Sequence, residues 1–186
     1  SKPEKLDELI RHRFLDAYQA ALRGELFSWR AEAEGRLAEI IVLDQFSRNI
    51  FRNKPEAFVG DTVALTLAQE IVCSNQILNL EKSRRAFAIM PFMHSESLVV
   101  HDEALKLFSN PELGGSLEFE KKHRDIIVRF GRYPHRNNIL GRVSTVEEIE
   151  FLKAVLRAYV VSGQGQLDSL FEDWKKKQGI FRDNRL

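Results

Sequence analysis

Apolar residues recur along this chain at three- and four-residue intervals. From Leu6 the series runs Leu6, Leu9, Ile10, Phe14, Ala17, Tyr18, Ala21, one face of an amphipathic helix that should stop near Gly24. From about Arg36 the apolar positions crowd together as Leu37, Ala38, Ile40, Ile41, Val42, Leu43 and Phe46, covering most of a helix circumference and predicting a central position in the core. Asp61 is expected to cap a third helix with Ala64, Leu67, Ala68, Ile71 and Val72 inward. A fourth helical stretch, from about Lys82 to Ser109, contains Pro91, which lacks a backbone donor and should kink or split it. Phe119, His123, Ile126, Ile127 and Phe130 mark a fifth. Ser144 and Thr145 stand before Glu147 and Glu148 at capping-box spacing and open a sixth, with Ile149, Leu152, Val155, Leu156, Tyr159 and Val160 inward. After Gly163 and Gly165 a last helix carries Leu167, Leu170, Phe171 and Trp174. The pattern therefore predicts an all-α single domain over residues 1–186, about seven helices in stacked antiparallel hairpins.

Composition narrows what such a domain does. The 186 residues carry 28 basic and 27 acidic side chains, so the chain is not a global cation for nucleic acid. A single cysteine, Cys73, excludes an internal disulfide framework and a four-cysteine zinc site. With no run of about 20 apolar residues and a charged opening segment, a cytoplasmic protein without a membrane partner is expected. Residue 1 is Ser rather than Met, so a natural start upstream is expected to be missing.

Three segments carry candidate chemistry. In Leu43–Arg52, Asp44 lies on the apolar side of its helix, four residues before Arg48. A buried carboxylate needs a partner; the pair is either structural or a means for Asp44 to hold Arg48 against a ligand anion. In Met90–Glu96, His94 and Glu96 are two residues apart and converge only if Pro91 keeps this stretch irregular. If helix resumes there, His94 and His101 both face the core, and a histidine on such a face is commonly bonded to a carbonyl. The third segment, His123–Arg142, holds Arg124, Arg129, Arg132, Arg136 and Arg142 with Asp125 as its one acid, a balance of +4 in a chain of net +1. Arginines gathered near helix ends suit phosphate or carboxylate; alternatively they cap helix carbonyls and pair with internal acids. With Tyr133 as the one stacking aromatic, a nucleic-acid partner is not expected. No phosphate loop, nucleophile elbow, dinucleotide fingerprint or helical zinc spacing occurs, so neither metal nor cofactor is indicated. The segments Phe46–Arg52 and Phe130–Arg142 both set Arg-Asn and a closing Arg around an apolar pair, suggesting two similar helix exits.

Taken in order, LDQFSRNIFR at 43–52, Ala57, Phe58 and Asp61, PFMHSE at 91–96 and RFGRYPHRNNILGRVSTVEE at 129–148 resemble the bacterial domain of unknown function 924, over about Leu9 to Leu152. The resemblance implies a helical fold similar to the tetratricopeptide-repeat superhelix and implies no activity. Ser47 and Val146 stand where that family usually shows Pro. Its recurrent polar positions correspond here to Asp44, Gln45, Arg48, Asn49, Arg52, His94, Ser95, Glu96, His123, Arg132, His135, Arg136, Asn137 and Arg142.

Three functional expectations follow. The first is a binding module whose groove, lined by Arg48, His94, Glu96, Arg132, His135 and Arg136, takes a small anionic molecule or an acidic peptide end. Asn49, Arg52, His123, Asn137 and Arg142 are further candidate ligand-binding positions. The second is a hydrolase or phosphoryl-handling enzyme with His94 or His135 as general acid or base and Glu96 as partner. The third is a purely structural polar network. The sequence leaves the oligomeric state open.

Overall fold

The computed structural model describes residues 2–161. Among them there are seven helices and no strand: α1 (Lys2–Leu22), α2 (Ala33–Ile41, continued through a π-helical turn at Val42–Phe46 and a closing turn at Ser47–Ile50), α3 (Asp61–Cys73), α4 (Lys82–Met93), α5 (Leu98–Ser109), α6 (Leu117–Phe130) and α7 (Val146–Val161). Single 3-10 turns fill several connections. The chain divides into two compact units after Tyr133. The last predicted helix, at Leu167 to Trp174, lies outside the described residues, and the count still reaches seven because the fourth predicted stretch forms two helices.

Helix ends follow from local chemistry. α1 stops because Gly24 takes φ +70°, letting the Glu25 N–H reach Ala20 O at 2.9 Å and the Gly24 N–H reach Ala21 O at 3.0 Å, the paired closure that satisfies terminal carbonyls. α6 also ends at a left-handed glycine, Gly131 at φ +68°, here through a single bond from its N–H to Ile127 O at 2.8 Å. Pro91 sits inside the last turn of α4; the helix breaks after Met93, and residues 94–97 form an irregular link to α5. His94 therefore lies off the α5 stripe.

In the first unit α2 is central, as its dense apolar pattern predicts: Ile40, Leu43 and Ile50 are fully buried, and the helix packs against α1, α3 and α4. From α3, Ala64, Leu67, Ala68 and Ile71 enter the core, and every residue of α4 from Ala86 to Met93 is buried. Burial at these positions stabilises the unit by roughly 1.5–3 kcal/mol per large apolar side chain. α1 contributes Ile10, Tyr18 and Ala21, whereas Leu9, at the edge of its stripe, is exposed. Consecutive helices α3 to α6 pack on one another through short connections, as helical hairpins must.

In the second unit α7 packs against the short turn Pro134–Arg136. The predicted capping box forms: Thr145 N–H donates to Glu148 Oε2 at 2.8 Å and Glu148 N–H to Thr145 Oγ1 at 3.2 Å. Glu148 is buried, while Ile149, Val155 and Leu156, expected inward, are exposed. The face that α7 turns inward is thus set by Glu148 and its partners rather than by the apolar stripe.

Candidate functional site

The π turn of α2 builds the first cluster. The Ser47 N–H reaches back to Val42 O, five residues away, so the helix widens by one residue at Asp44. The Asp44 carbonyl accepts from Ser47 Oγ at 3.3 Å and from Arg48 Nη1. Its carboxylate, 1% exposed, receives His94 Nδ1 at 2.7 Å on Oδ1. The same oxygen lies 3.3 Å from Arg48 Nη1, and Oδ2 accepts from the Gln45 amide, which also reaches Met90 Sδ. Burial pushes the Asp44 carboxyl up, but the neighbouring charges of His94 and Arg48 and the hydrogen bonds from His94 and Gln45 outweigh it and hold the group well below the usual carboxylate range. Asp44 is therefore an anion that orients what surrounds it.

Arg48 makes a two-pronged contact with Asp61, 3.0 Å from each oxygen. Asp61 was expected to cap α3. The cap position instead belongs to Gly60, without a side-chain bond, and Asp61, the first helical residue, turns its carboxylate to Arg48 because a bidentate guanidinium contact is stronger than a single N–H bond. Asp44 and Asp61 together exceed Arg48 by one negative charge. Counted on these three residues alone, the cluster does not attract anions; it holds His94.

A second cluster surrounds His101, which sequence spacing already placed in the core. His101 Nδ1 lies 2.6 Å from Glu120 Oε1, with both side chains fully buried. Its Nε2 lies 2.8 Å from Ser95 O and 3.2 Å from the Tyr133 hydroxyl. That hydroxyl donates to Met93 O at 2.6 Å, and the Tyr133 N–H donates to Glu96 Oε1 at 2.7 Å. His123 packs its ring edge on Tyr133, 5.9 Å between centroids, with Nδ1 2.8 Å from Phe119 O. Glu120 and Tyr133 were not expected in these roles. The available signal was spacing: Glu120 precedes Ile127 by seven residues, two turns on the same face of α6.

The other sequence candidates fall into separate local tasks. Asn49 and Arg52 both bond Asp7 of α1, Asn49 Nδ2 at 2.8 Å and Arg52 Nη2 at 2.7 Å. The Arg52 hydrogen bond holds the Asp7 carboxyl below its ordinary value. In the second unit Arg142 Nε donates to Asn137 Oδ1 at 2.9 Å, and Asn137 Nδ2 donates to Ser144 Oγ at 3.1 Å and Glu148 Oε2 at 3.2 Å. The two segments with similar sequence are fastened differently: Asn49 and Arg52 each bond Asp7, whereas Arg142 bonds Asn137, which in turn bonds Glu148. Arg132 is half-buried, His135 exposed and Arg136 buried. Arg124 is paired with Asp102 at 2.7 Å. The structure thus joins Asp44, Arg48 and His94, sets Glu96 on Tyr133, ties Asn49 and Arg52 to α1, and links Asn137 to Ser144 and the start of α7, with Arg142 on Asn137. Among the described residues no three His, Cys, Asp or Glu side chains are grouped to hold a metal ion, and no helix is long and apolar enough to cross a membrane.

Residues 1–155 match the family described as bacterial protein of unknown function, DUF924, and the chain belongs to that family. Among solved structures it is similar to a protein of unknown function from Agrobacterium tumefaciens, with 39% identity and a TM-score of 0.75 over 81% of this chain and 85% of that one. No curated protein matches.

Proposed function

We propose that the chain is an acid–base enzyme in which His94 exchanges protons with a small-molecule substrate, in the hydrolase or phosphoryl-handling class. The observation that supports this is the 2.7 Å contact between His94 Nδ1 and Asp44 Oδ1, which joins a carboxylate 1% exposed to an imidazole 19% exposed. A carboxylate held ionised can only accept, so the shared proton belongs to Nδ1 and Nε2 is the nitrogen that takes up or delivers a proton. Asp44 also stabilises the imidazolium formed when it does. Arg48, gripped by Asp61 and Asp44, positions Asp44. Glu96 bonds Tyr133 N–H and helps to place the segment that carries His94.

A second reading, binding of a small anion or an acidic peptide end without chemistry, is favoured by the +4 balance of residues 123–142. One experiment separates the two. A thermal-shift screen of phosphorylated and carboxylated metabolites identifies ligands, and each hit is assayed for turnover in wild type, His94→Ala and Asp44→Asn. Acid–base catalysis predicts a loss of about 10²–10⁴-fold in kcat for His94→Ala and a smaller loss for Asp44→Asn. Undiminished turnover in His94→Ala overturns the assignment, and ligands that bind but never turn over leave the binding reading in its place.

A further inference from the structure

The break between α4 and α5 leaves carbonyls at Met93 and Ser95 without the intrahelical donors that a continuous helix would supply. Both are met by buried side chains from elsewhere in the first unit. The Tyr133 hydroxyl donates to Met93 O at 2.6 Å, and His101 Nε2 lies 2.8 Å from Ser95 O. A third tie joins the Tyr133 N–H to the Glu96 carboxylate at 2.7 Å. Residues 93, 95 and 96 are each fastened, and His94 stands among them with its ring on Asp44. The backbone's own bonds there are long, His94 N to Met90 O and Ser95 N to Phe92 O both at 3.3 Å.

We propose that Tyr133 and His101, with Glu120 behind His101, are positioning residues that latch the 93–97 segment and so set the orientation of the His94 ring. The proposal rests on the reading of His94 as the reactive group. Ser95 O can only accept, so His101 must carry a proton on Nε2. Glu120, 2.6 Å from Nδ1, supports that state whichever of the two shares its proton. Tyr133, 1% exposed, cannot turn its hydroxyl to solvent, so its bond to Met93 O is a fixed distance between α4 and the end of α6. A reactive side chain must hold its geometry to within a fraction of an ångström, and an irregular four-residue link does not do that unaided.

The test uses the full chain without ligand and reads the segment directly, by amide hydrogen exchange and by the ¹⁵N ring signals of His94. Tyr133→Phe removes one hydroxyl and keeps the ring. Exchange at His94, Ser95 and Ser97 should then rise about tenfold, with the ¹⁵N ring signals of His94 shifting, while amides in α2 and α3 change less than about twofold. Equal acceleration in α2 and α3, or none at residues 94–97, overturns the latch in favour of a merely structural network. Should Tyr133→Phe not fold, His101→Gln against His101→Asn decides the matter. The Gln amide nitrogen stands where Nε2 stands and should keep protection at Ser95 and Ser97; the shorter Asn should lose it, and identical protection in both overturns the proposal. The outcomes stay distinct from those of the catalytic reading. A loosened segment with full turnover in His94→Ala retains the latch and removes His94 as the reactive group; an unchanged segment with turnover lost in His94→Ala does the opposite.

Discussion

Asp44–His94 and Glu120–His101 are built from the same two groups at nearly the same distance, 2.7 and 2.6 Å, and they serve different ends. His101 is fully buried, with its second nitrogen committed to Ser95 O; its chemistry is consumed in fixing backbone. His94 is anchored by an equally buried carboxylate but keeps part of its ring at the surface. A histidine–carboxylate contact is therefore not a functional signature by itself. What distinguishes the two pairs is the exposure of the imidazole that the carboxylate holds, 19% for His94 and none for His101.

The largest expected effect tests the structural member. Glu120→Leu leaves His101 without its carboxylate in a site closed to water and should destabilise the fold by about 3–5 kcal/mol, while the double variant His101→Phe, Glu120→Leu should cost markedly less than the two single changes together. Urea titration followed by circular dichroism measures both. Additive losses would show that the two residues do not act as a pair.

Asp44→Asn comes next, because the amide keeps the shape and loses the charge that His94 and Arg48 face; a loss of about 2 kcal/mol is expected at neutral pH. The sign of its pH dependence follows from the depressed folded value of Asp44. Its contribution is complete above the ordinary carboxylate value of 3.8 and is lost as the pH falls through the lower folded value. Urea midpoints of wild type and variant should converge as the pH falls below about 4. A constant gap down to the acid transition would mean that the ionic form of Asp44 contributes nothing.

The smallest effect provides the baseline for both pairs. Arg52→Ala removes an ion pair with Asp7 in which the arginine is 53% exposed, so the loss should stay below about 1 kcal/mol and shrink with added salt. A larger loss, measured in the same urea titration, would place the α1 contact among the main supports of the first unit.

Helices were legible wherever burial follows a regular period. Ala64, Leu67, Ala68 and Ile71 face the core as spaced, Gly24 ends α1, and Thr145 with Glu148 closes a capping box, since each needs only residues within a turn or two. Asp44 and Arg48 were legible as a pair for the same reason. The partners reached across the fold were not. Nothing in the spacing of Asp61 distinguishes a helix cap from a ligand for Arg48, and nothing in Tyr133 announces a bond to Met93 O. The exposed Ile149, Val155 and Leu156 show the same limit from the other side: period tells which residues share a face, not what that face meets.

The sequence by itself determined the all-helical class, most helix limits and the set of polar residues worth attention, because helix propensity, capping and apolar period act over a few residues and are written in local order. Tertiary structure decided which carboxylates His94 and His101 meet. That choice depends on the widened turn at Asp44 and the break after Pro91, which bring residues 44 and 94, fifty positions apart, within a hydrogen bond; short-range chemistry sets where each helix ends, but only packing sets what stands opposite.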